Sequence, residues 1–181
     1  RLAAEQFNFP DMGSKGAVVC RHPDGSLVCA SRIPTIYRST DEGRSWAETA
    51  RIDRAGEKPV TCGFGVTSEG TYLVTHSDYT TELGYIARSD DRGETWTQIP
   101  VHPDPMEFMG RGDGSRIIEL TDGTILMPVS NAWLGEMETS YSGDVIMRST
   151  DDGRTWGDAT VLPPGCCESN LIELTDGTLV C

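Results

Sequence analysis

One eight-residue motif occurs three times in the chain, and it constrains the fold more than any other feature. The motif reads Ser-x-Asp-x-Gly-x-[Ser/Thr]-Trp, and its copies span residues 39–46, 89–96 and 149–156. Their aspartates are separated by 50 and then 60 residues. Repeats spaced by a few tens of residues are typical of propellers and solenoids, in which each repeat is one supersecondary unit. The chain is therefore expected to fold as a series of similar units.

A second repeated feature is an acidic residue followed by glycine between two apolar runs. It occurs at residues 24–25, 69–70, 122–123 and 176–177. Such a pair predicts a tight β-hairpin, because glycine adopts a positive φ without steric cost. Each cycle of the chain thus reads hairpin, connection, strand, motif turn, strand, with no helical periodicity. Four antiparallel strands per cycle make one blade of a β-propeller.

The sequence accordingly predicts an all-β fold, a β-propeller built of four-stranded antiparallel blades. We place three blades at residues 14–52, 58–101 and 110–162, and the opening hairpin of a fourth at 166–181, within a single partial propeller domain over residues 1–181. Such a piece cannot close a ring, and closure is what protects the edge strands of a propeller. We therefore expect the chain to be part of a longer protein.

The eight-residue motif is expected to be structural. Its aspartate can accept hydrogen bonds from the backbone of its own turn, its glycine can form a left-handed corner, and its tryptophan can pack between strands. The alternative is that the aspartates catalyse or bind Ca²⁺, but three equal copies favour a scaffold role. The predicted structural set is Asp41, Gly43, Trp46, Asp91, Gly93, Trp96, Asp151, Gly153 and Trp156.

Charge and cysteine usage narrow the possible partners. The net charge of −13, from 28 acidic and 15 basic residues, disfavours nucleic acid and anionic membranes as partners. No apolar run is long enough for a membrane helix. The six cysteines lack zinc-site spacing, so we expect no metal and no cofactor. Cys20, Cys29 and Cys181 lie in apolar runs and are expected to be buried free thiols.

The three motif copies resemble the Asp-box, or BNR, repeat of the sialidase superfamily, and the resemblance runs from about Ala17 to Cys181. Residues 117–129 are similar to the hairpin that sialidases carry before their third Asp-box turn. Residues 167–177 are similar to the start of the following blade, with Glu168 at the position of a glutamate in that family. The resemblance implies a six-bladed propeller, and it slightly favours a secreted or periplasmic location.

The resemblance also implies an activity, that of an exo-glycosidase that removes a terminal sugar from a glycan or glycoconjugate. Glu168 would be the general base for a tyrosine nucleophile located outside this chain, in a retaining mechanism. The alternative for Glu168 is a solvated charge at the start of a strand. The alternative for the whole protein is a non-catalytic propeller that binds glycans or proteins, since a fold alone implies no activity.

Further candidates follow from the position of the pocket in sialidases, where first strands begin and second strands end. The predicted substrate-binding residues are Arg111, Asp113, Arg116, Asp78 and Asn131. His76 and Trp133 are weaker candidates, and all of these residues have an alternative as solvated or packing side chains. The sequence departs from the family at Lys15, where sialidases carry an arginine. Arg32 is followed by the expected Ile-Pro but comes after the hairpin.

Overall fold

The structure is a computed structural model that describes residues 17–31, 35–52, 59–78, 84–99, 106–108, 115–134, 143–163, 165–166 and 168–181. These residues form sixteen β-strands and no helix. The predicted all-β class is thereby confirmed. The described residues form no helix that is long and apolar enough to span a membrane.

The first sheet contains four strands in sequence order, each antiparallel to the next. Alternating or continuous apolar residues in the first three strands bury one or both faces, whereas the fourth strand is largely exposed. The strands are β1 (Ala17–Arg21), β2 (Leu27–Ser31), β3 (Thr35–Ser39) and β4 (Ala47–Arg51). This is the four-stranded antiparallel arrangement that the sequence predicts.

The second and third sheets repeat this order. The second contains β5 (Pro59–Val66), β6 (Tyr72–Asp78), β7 (Gly84–Ser89) and β8 (Thr97–Ile99). The third contains β11 (Ile118–Glu119), β12 (Ile125–Leu134), β13 (Gly143–Ser149) and β14 (Gly157–Val161), with β9 (Met106–Phe108) paired to the end of β12. A final two-stranded sheet pairs β15 (Ile172–Glu173) with β16 (Leu179–Val180).

The strands of each sheet begin and end on two opposite sides of the sheet. On one side the first strand begins and the second strand ends, as in the pairing of Ala17 with Ser31; we call this side the start edge. At the opposite edge lie the hairpin turns and the eight-residue motifs; we call it the turn edge. A motif joins the third strand to the fourth, as Ser39–Trp46 joins β3 to β4.

The first strand of the third sheet is divided between two sheets, which the sequence did not predict. Its beginning, β10 (Ser115–Arg116), pairs in parallel with β5 of the second sheet. Ile117 then donates its backbone N–H to the Phe64 carbonyl at 3.0 Å, before β11 joins the third sheet. Gly65 permits this approach, since a Cβ there would lie 2.6 Å from the Ile117 carbonyl oxygen.

Three apolar clusters lie between consecutive sheets. One joins the first and second sheets through residues such as Ile36 and Phe64, and a second joins the second and third sheets through residues such as Leu73 and Met147. A third packs Leu171 against the third sheet. The sheets therefore stack face to face in sequence order, with their first strands side by side.

Carboxylates on first strands also fasten neighbouring sheets together at the turn edge. Glu119 accepts hydrogen bonds from the backbone N–H and hydroxyl of Ser68, in the preceding sheet. Glu173 makes the same pair of bonds with Thr121, at 2.9 Å each. The glutamate of the repeated Ile-Glu sequence in these strands thus links its sheet to the preceding sheet by hydrogen bonds.

Cys20 and Cys29 are buried and neither forms a disulfide within the described part of the chain, in agreement with the sequence interpretation. Cys181 forms no disulfide there either, but it is exposed. The expected burial of Cys181 is wrong because β16 is packed on neither face by described residues, and Leu179 and Val180 are exposed beside it. An apolar run indicates burial only where a second layer covers it.

Candidate functional site

The three eight-residue motifs form turns with the same hydrogen bonds, and we call them the Ser-Asp turns. In the first, Asp41 accepts bonds from the Ser39 hydroxyl and from the backbone N–H and hydroxyl of Ser45. Gly43 receives the Trp46 indole N–H on its carbonyl at 3.0 Å. The other two turns repeat these contacts. Each carboxylate is thus occupied by its own turn.

Hydrogen bonding also fixes the ionisation of these carboxylates. The Ser45 hydroxyl, its backbone N–H and Ser39 lower the pKa of Asp41 to about 2. The same groups of Thr95 and Ser89 lower the pKa of Asp91 to about 2. At Asp151 burial raises the pKa, but hydrogen bonds from its turn outweigh that effect, so the pKa lies below its usual value. These permanently charged, fully engaged groups are unsuited to proton transfer near neutral pH, which supports a scaffold role.

The start edge carries a different kind of chemistry, centred on Glu168. This residue is exposed and lies two positions after the end of a turn in which Cys166 donates its backbone N–H to the Pro163 carbonyl. Its φ of +57° falls in the left-handed region, which costs a non-glycine residue roughly 1 kcal/mol. Such a conformation persists only where the surrounding structure imposes it.

Two hydrogen bonds hold the residues that follow Glu168. Ser169, which is 9% exposed, donates its backbone N–H to the Asp144 carboxylate at 2.7 Å. Asn170 accepts the backbone N–H of Arg116 on its side-chain oxygen at 3.0 Å. Residues 168–170, which we call the Glu168 segment, are therefore anchored to β13 of the third sheet and to β10, which pairs with the second sheet.

A cavity of about 920 Å³ runs along the first strands of all four sheets. Its wall includes Arg116 and Asn170, whereas Glu168 lies outside it. Other residues of the wall are Cys20, His22, Glu119 and Glu173. Among the described residues no group of three or more His, Cys, Asp or Glu side chains is placed to hold a metal ion. The cavity is thus a groove of mixed polarity that begins beside the Glu168 segment and extends toward the turn edge.

Arg116 gives the wall of this cavity a positive charge close to Cys20. Burial raises the pKa of the Cys20 thiol, and the neighbouring Arg116 guanidinium offsets part of that increase. The carboxylates of Glu119 and Glu173 are occupied by the inter-sheet hydrogen bonds. Arg116 itself is exposed. Its guanidinium can therefore contact an anionic or hydroxyl-rich ligand in the cavity.

Comparison with known proteins places this geometry in context. No family model matches the chain. A sialidase from Paraclostridium sordellii is 30% identical over an alignment of 176 residues, and the match covers 79% of this chain and 42% of that protein. A sialidase from Clostridium perfringens is 26% identical over 175 residues, covering 79% and 44%. The chain is sialidase-like. It spans less than half the length of these two curated relatives.

Solved structures agree with the sialidase-like fold. A protein of unknown function from Dyadobacter fermentans has a TM-score of 0.65 at 17% identity, covering 90% of this chain and 54% of its own. The Hadza microbial sialidase Hz136 has a TM-score of 0.57 at 20% identity, covering 87% and 39%. The fold class is thus a β-propeller of four-stranded antiparallel sheets.

Only some of the predicted site residues of this sialidase-like chain lie in the described structure. Arg116 and Glu168 are brought into one region through Asn170, as described above. Arg111 and Asp113 lie outside the described residues, as do Lys15 and Arg32. The sequence prediction for these four positions stays a prediction.

Other predicted residues are described by their backbone alone. Asp78 ends β6 and pairs with Pro59, which places it at the start edge of the second sheet. Asn131 and Trp133 lie near the end of β12, at the start edge of the third sheet. All three therefore occupy second-strand ends.

The weaker candidate His76 lies on the same edge but within the sheet. It is 3% exposed, and its ring centroid is 5.4 Å from that of Tyr85 on the neighbouring strand. Burial against Tyr85 favours a packing role for His76 over direct contact with a ligand.

Sequence reasoning missed Asp144, the second residue of β13. It is 1% exposed, yet it contacts the Glu168 segment 25 residues further along the chain. One signal was present, since an aspartate directly precedes the apolar run 145–147. A single sequence does not show what such a residue contacts.

Proposed function

We propose that this protein is a sialidase-like exo-glycosidase that hydrolyses a terminal sugar from glycans or glycoconjugates. The observation that carries the proposal is the Glu168 segment, an exposed carboxylate at the start edge whose following residues are anchored to Asp144 and Arg116. The sialidase relatives support the substrate class. Their names describe enzymes that act on sialic acid, and the proposal for this chain is confined to a terminal sugar.

In the proposed mechanism Glu168 acts as general base. A tyrosine hydroxyl has a pKa of about 10 and is a poor nucleophile unless a carboxylate accepts its proton during attack. The tyrosine oxygen would bond to the anomeric carbon as the leaving group departs, and water would then release the sugar with retention of configuration. The proposal places this tyrosine beyond the 181 residues, in the part of the relatives' length that the chain does not span.

Substrate binding would involve the cavity and the start edge. Arg116 is the group with the strongest support, because it lies in the cavity wall beside Asn170. Planar guanidinium groups suit carboxylate or vicinal hydroxyl groups of a sugar. The further substrate-binding residues of the proposal are Arg111, Asp113, Asp78 and Asn131.

A second candidate function is a non-catalytic propeller that binds glycans or proteins. Two observations favour it: Lys15 stands where sialidases carry an arginine, and Glu168 lies outside the wall of the cavity. A protein of this kind would use the same groove without turnover.

The test compares wild type and Glu168→Gln in the full-length protein, with a panel of aryl glycosides that includes an aryl α-sialoside. We expect hydrolysis of at least one glycoside by the wild type, and a loss of kcat on the order of 100-fold or more in Glu168→Gln. Glu42→Gln is the matched control, because Glu42 is also exposed and has the same φ of 57° but lies at the turn edge of the first sheet, outside the cavity wall.

The outcomes separate the two candidates. Equal turnover by wild type and Glu168→Gln would remove Glu168 from the mechanism. A wild type that hydrolyses no glycoside but binds members of a glycan array would favour the binding propeller.

A further inference from the structure

Asp144 is a buried carboxylate at the start edge that no repeat or motif explains. It is 1% exposed. Its Oδ2 accepts the Ser169 backbone N–H at 2.7 Å, and its Oδ1 has no hydrogen-bond partner in the part of the chain that the structure describes. A half-satisfied buried carboxylate is costly for folding, so its presence needs an explanation.

The position of the Ser169 amide explains this carboxylate. The amide belongs to the peptide unit that follows Glu168. The φ of Glu168 is +57°, which is uncommon for a residue other than glycine. A bond from this peptide N–H to a carboxylate is charge-assisted and therefore stronger than a bond to a neutral oxygen. Asp144 thus holds the peptide unit that sets the left-handed conformation of Glu168.

The neighbouring contact completes the arrangement. Asn170 is anchored to the Arg116 backbone at 3.0 Å, on the side of the cavity. Asp144 anchors Ser169 from β13 of the third sheet, and its own backbone carbonyl accepts the Leu162 backbone N–H at 2.9 Å. Glu168 is thereby presented by a segment with fixed attachment points on two strands.

We propose that Asp144 is a positioning residue, which fixes the backbone of Glu168 so that the Glu168 carboxylate faces the sugar-binding region at the start edge. This inference rests on the proposed function of Glu168. Asp144 acts through the peptide unit and does not itself contact the sugar.

The first experiment measures hydrogen exchange of the Ser169 amide in the full-length protein. Removing the acceptor in Asp144→Ala is expected to accelerate this exchange about tenfold or more. Asp144→Asn keeps an oxygen acceptor and is expected to exchange at a rate between those of wild type and Asp144→Ala. Asp122→Asn is the matched control, since Asp122 accepts the Thr124 N–H at 2.8 Å in an exposed turn at the other edge.

The second experiment is kinetic and uses the aryl glycoside that the wild type hydrolyses best. Asp144→Ala is expected to lower kcat about tenfold or more with KM within about twofold, because ground-state binding is left intact. Asp144→Asn is expected to recover most of that loss. If Asp144→Ala does not fold, Asp144→Leu, which has the same branching as aspartate, removes the acceptor while keeping the site filled.

The results separate this inference from the proposed function. Wild-type protection of the Ser169 amide in Asp144→Ala or Asp144→Leu would overturn the anchoring role. Lost protection with unchanged kcat, in a protein that Glu168→Gln inactivates, would overturn the positioning role. Full activity of Glu168→Gln would instead refute the proposed function of Glu168. The exchange rates of the Ser169 amide would still test its hydrogen bond to Asp144 independently.

Discussion

The first and third Ser-Asp turns have the same sequence pattern and the same internal hydrogen bonds, but they lie in different surroundings. Trp46, in the first turn, is half-buried, whereas Trp156, in the third, is 2% exposed and belongs to the cluster between the second and third sheets. The bonds within a turn are thus set by its own residues. The stability it contributes is set by the sheet beside it.

The difference has a simple structural cause. A Cβ added at Gly153 would lie 2.5 Å from Leu73 of the preceding sheet, whereas one added at Gly43 would meet Leu27 of its own sheet at 3.6 Å. The second turn behaves like the third, because Gly93 approaches Ala50 of the first sheet. No described residue forms a sheet before β1, so the first turn lacks such a neighbour among them.

The largest expected effect comes from removing the two tryptophan rings. Trp156→Ala should lower the free energy of unfolding by about 3–5 kcal/mol, because it empties a buried site in the core. Trp46→Ala should cost about half as much or less. Urea denaturation of the full-length variants measures both. Equal losses would mean that burial against a neighbouring sheet does not make the third turn more stabilising than the first.

A smaller effect is expected for glycine substitutions in the two turns. Gly153→Ala should cost about 2–3 kcal/mol, since it combines a positive φ of 76° with overlap on the fully buried Leu73. Gly43→Ala, at a φ of 83°, should cost about 1 kcal/mol from backbone strain alone. The difference in denaturation midpoint between the two variants isolates the contact with the neighbouring sheet. A Gly43→Ala that is as unstable as Gly153→Ala would contradict it.

The residues that precede these glycines offer a third contrast. Asp152 accepts hydrogen bonds from Arg88, whose side chain is 8% exposed, and from Thr71 at 3.0 Å, both in the second sheet. Asp152→Ala should therefore cost about 2 kcal/mol, because it leaves a buried guanidinium short of an acceptor. Glu42 pairs with the exposed Arg21, so Glu42→Ala should cause no measurable change in the denaturation midpoint. An equal shift for both would refute the inter-sheet role of Asp152.

The smallest expected effect is on acid stability. The pKa of Asp41 is lowered to about 2 by its turn, so this carboxylate stabilises the folded state fully above the unfolded value near 4. That contribution is lost as the pH falls from about 4 to about 2. The difference in urea midpoint between wild type and Asp41→Asn should therefore be larger at pH 6 than at pH 3. A difference that does not change with pH would show that ionisation of Asp41 has no part in it.

Much of the fold could be predicted because its signals are local. The acidic-Gly turns and the Ser-Asp turns depend on hydrogen bonds between residues two to four positions apart, as between Asp41 and Ser45. In β1 an apolar run predicts a strand, and Val18 and Cys20 on one face are buried whereas Val19 on the other face is exposed. The division of the first strand at Ile117 carried no such signal, because it depends on how closely two sheets approach at Gly65.

The repeated turns and the four-stranded antiparallel sheets follow from the sequence alone. The sequence places Glu168 at the start of a strand, whereas β15 begins four positions later, at Ile172. The contacts of Asp144 with Ser169, across 25 positions, and of Arg116 with Asn170, across 54, arise only from the packing of the sheets. That packing also decided which tryptophan is buried. The physical reason is that turn bonds follow from backbone preferences of a few residues, whereas the candidate site depends on the stacking of sheets that are distant in sequence.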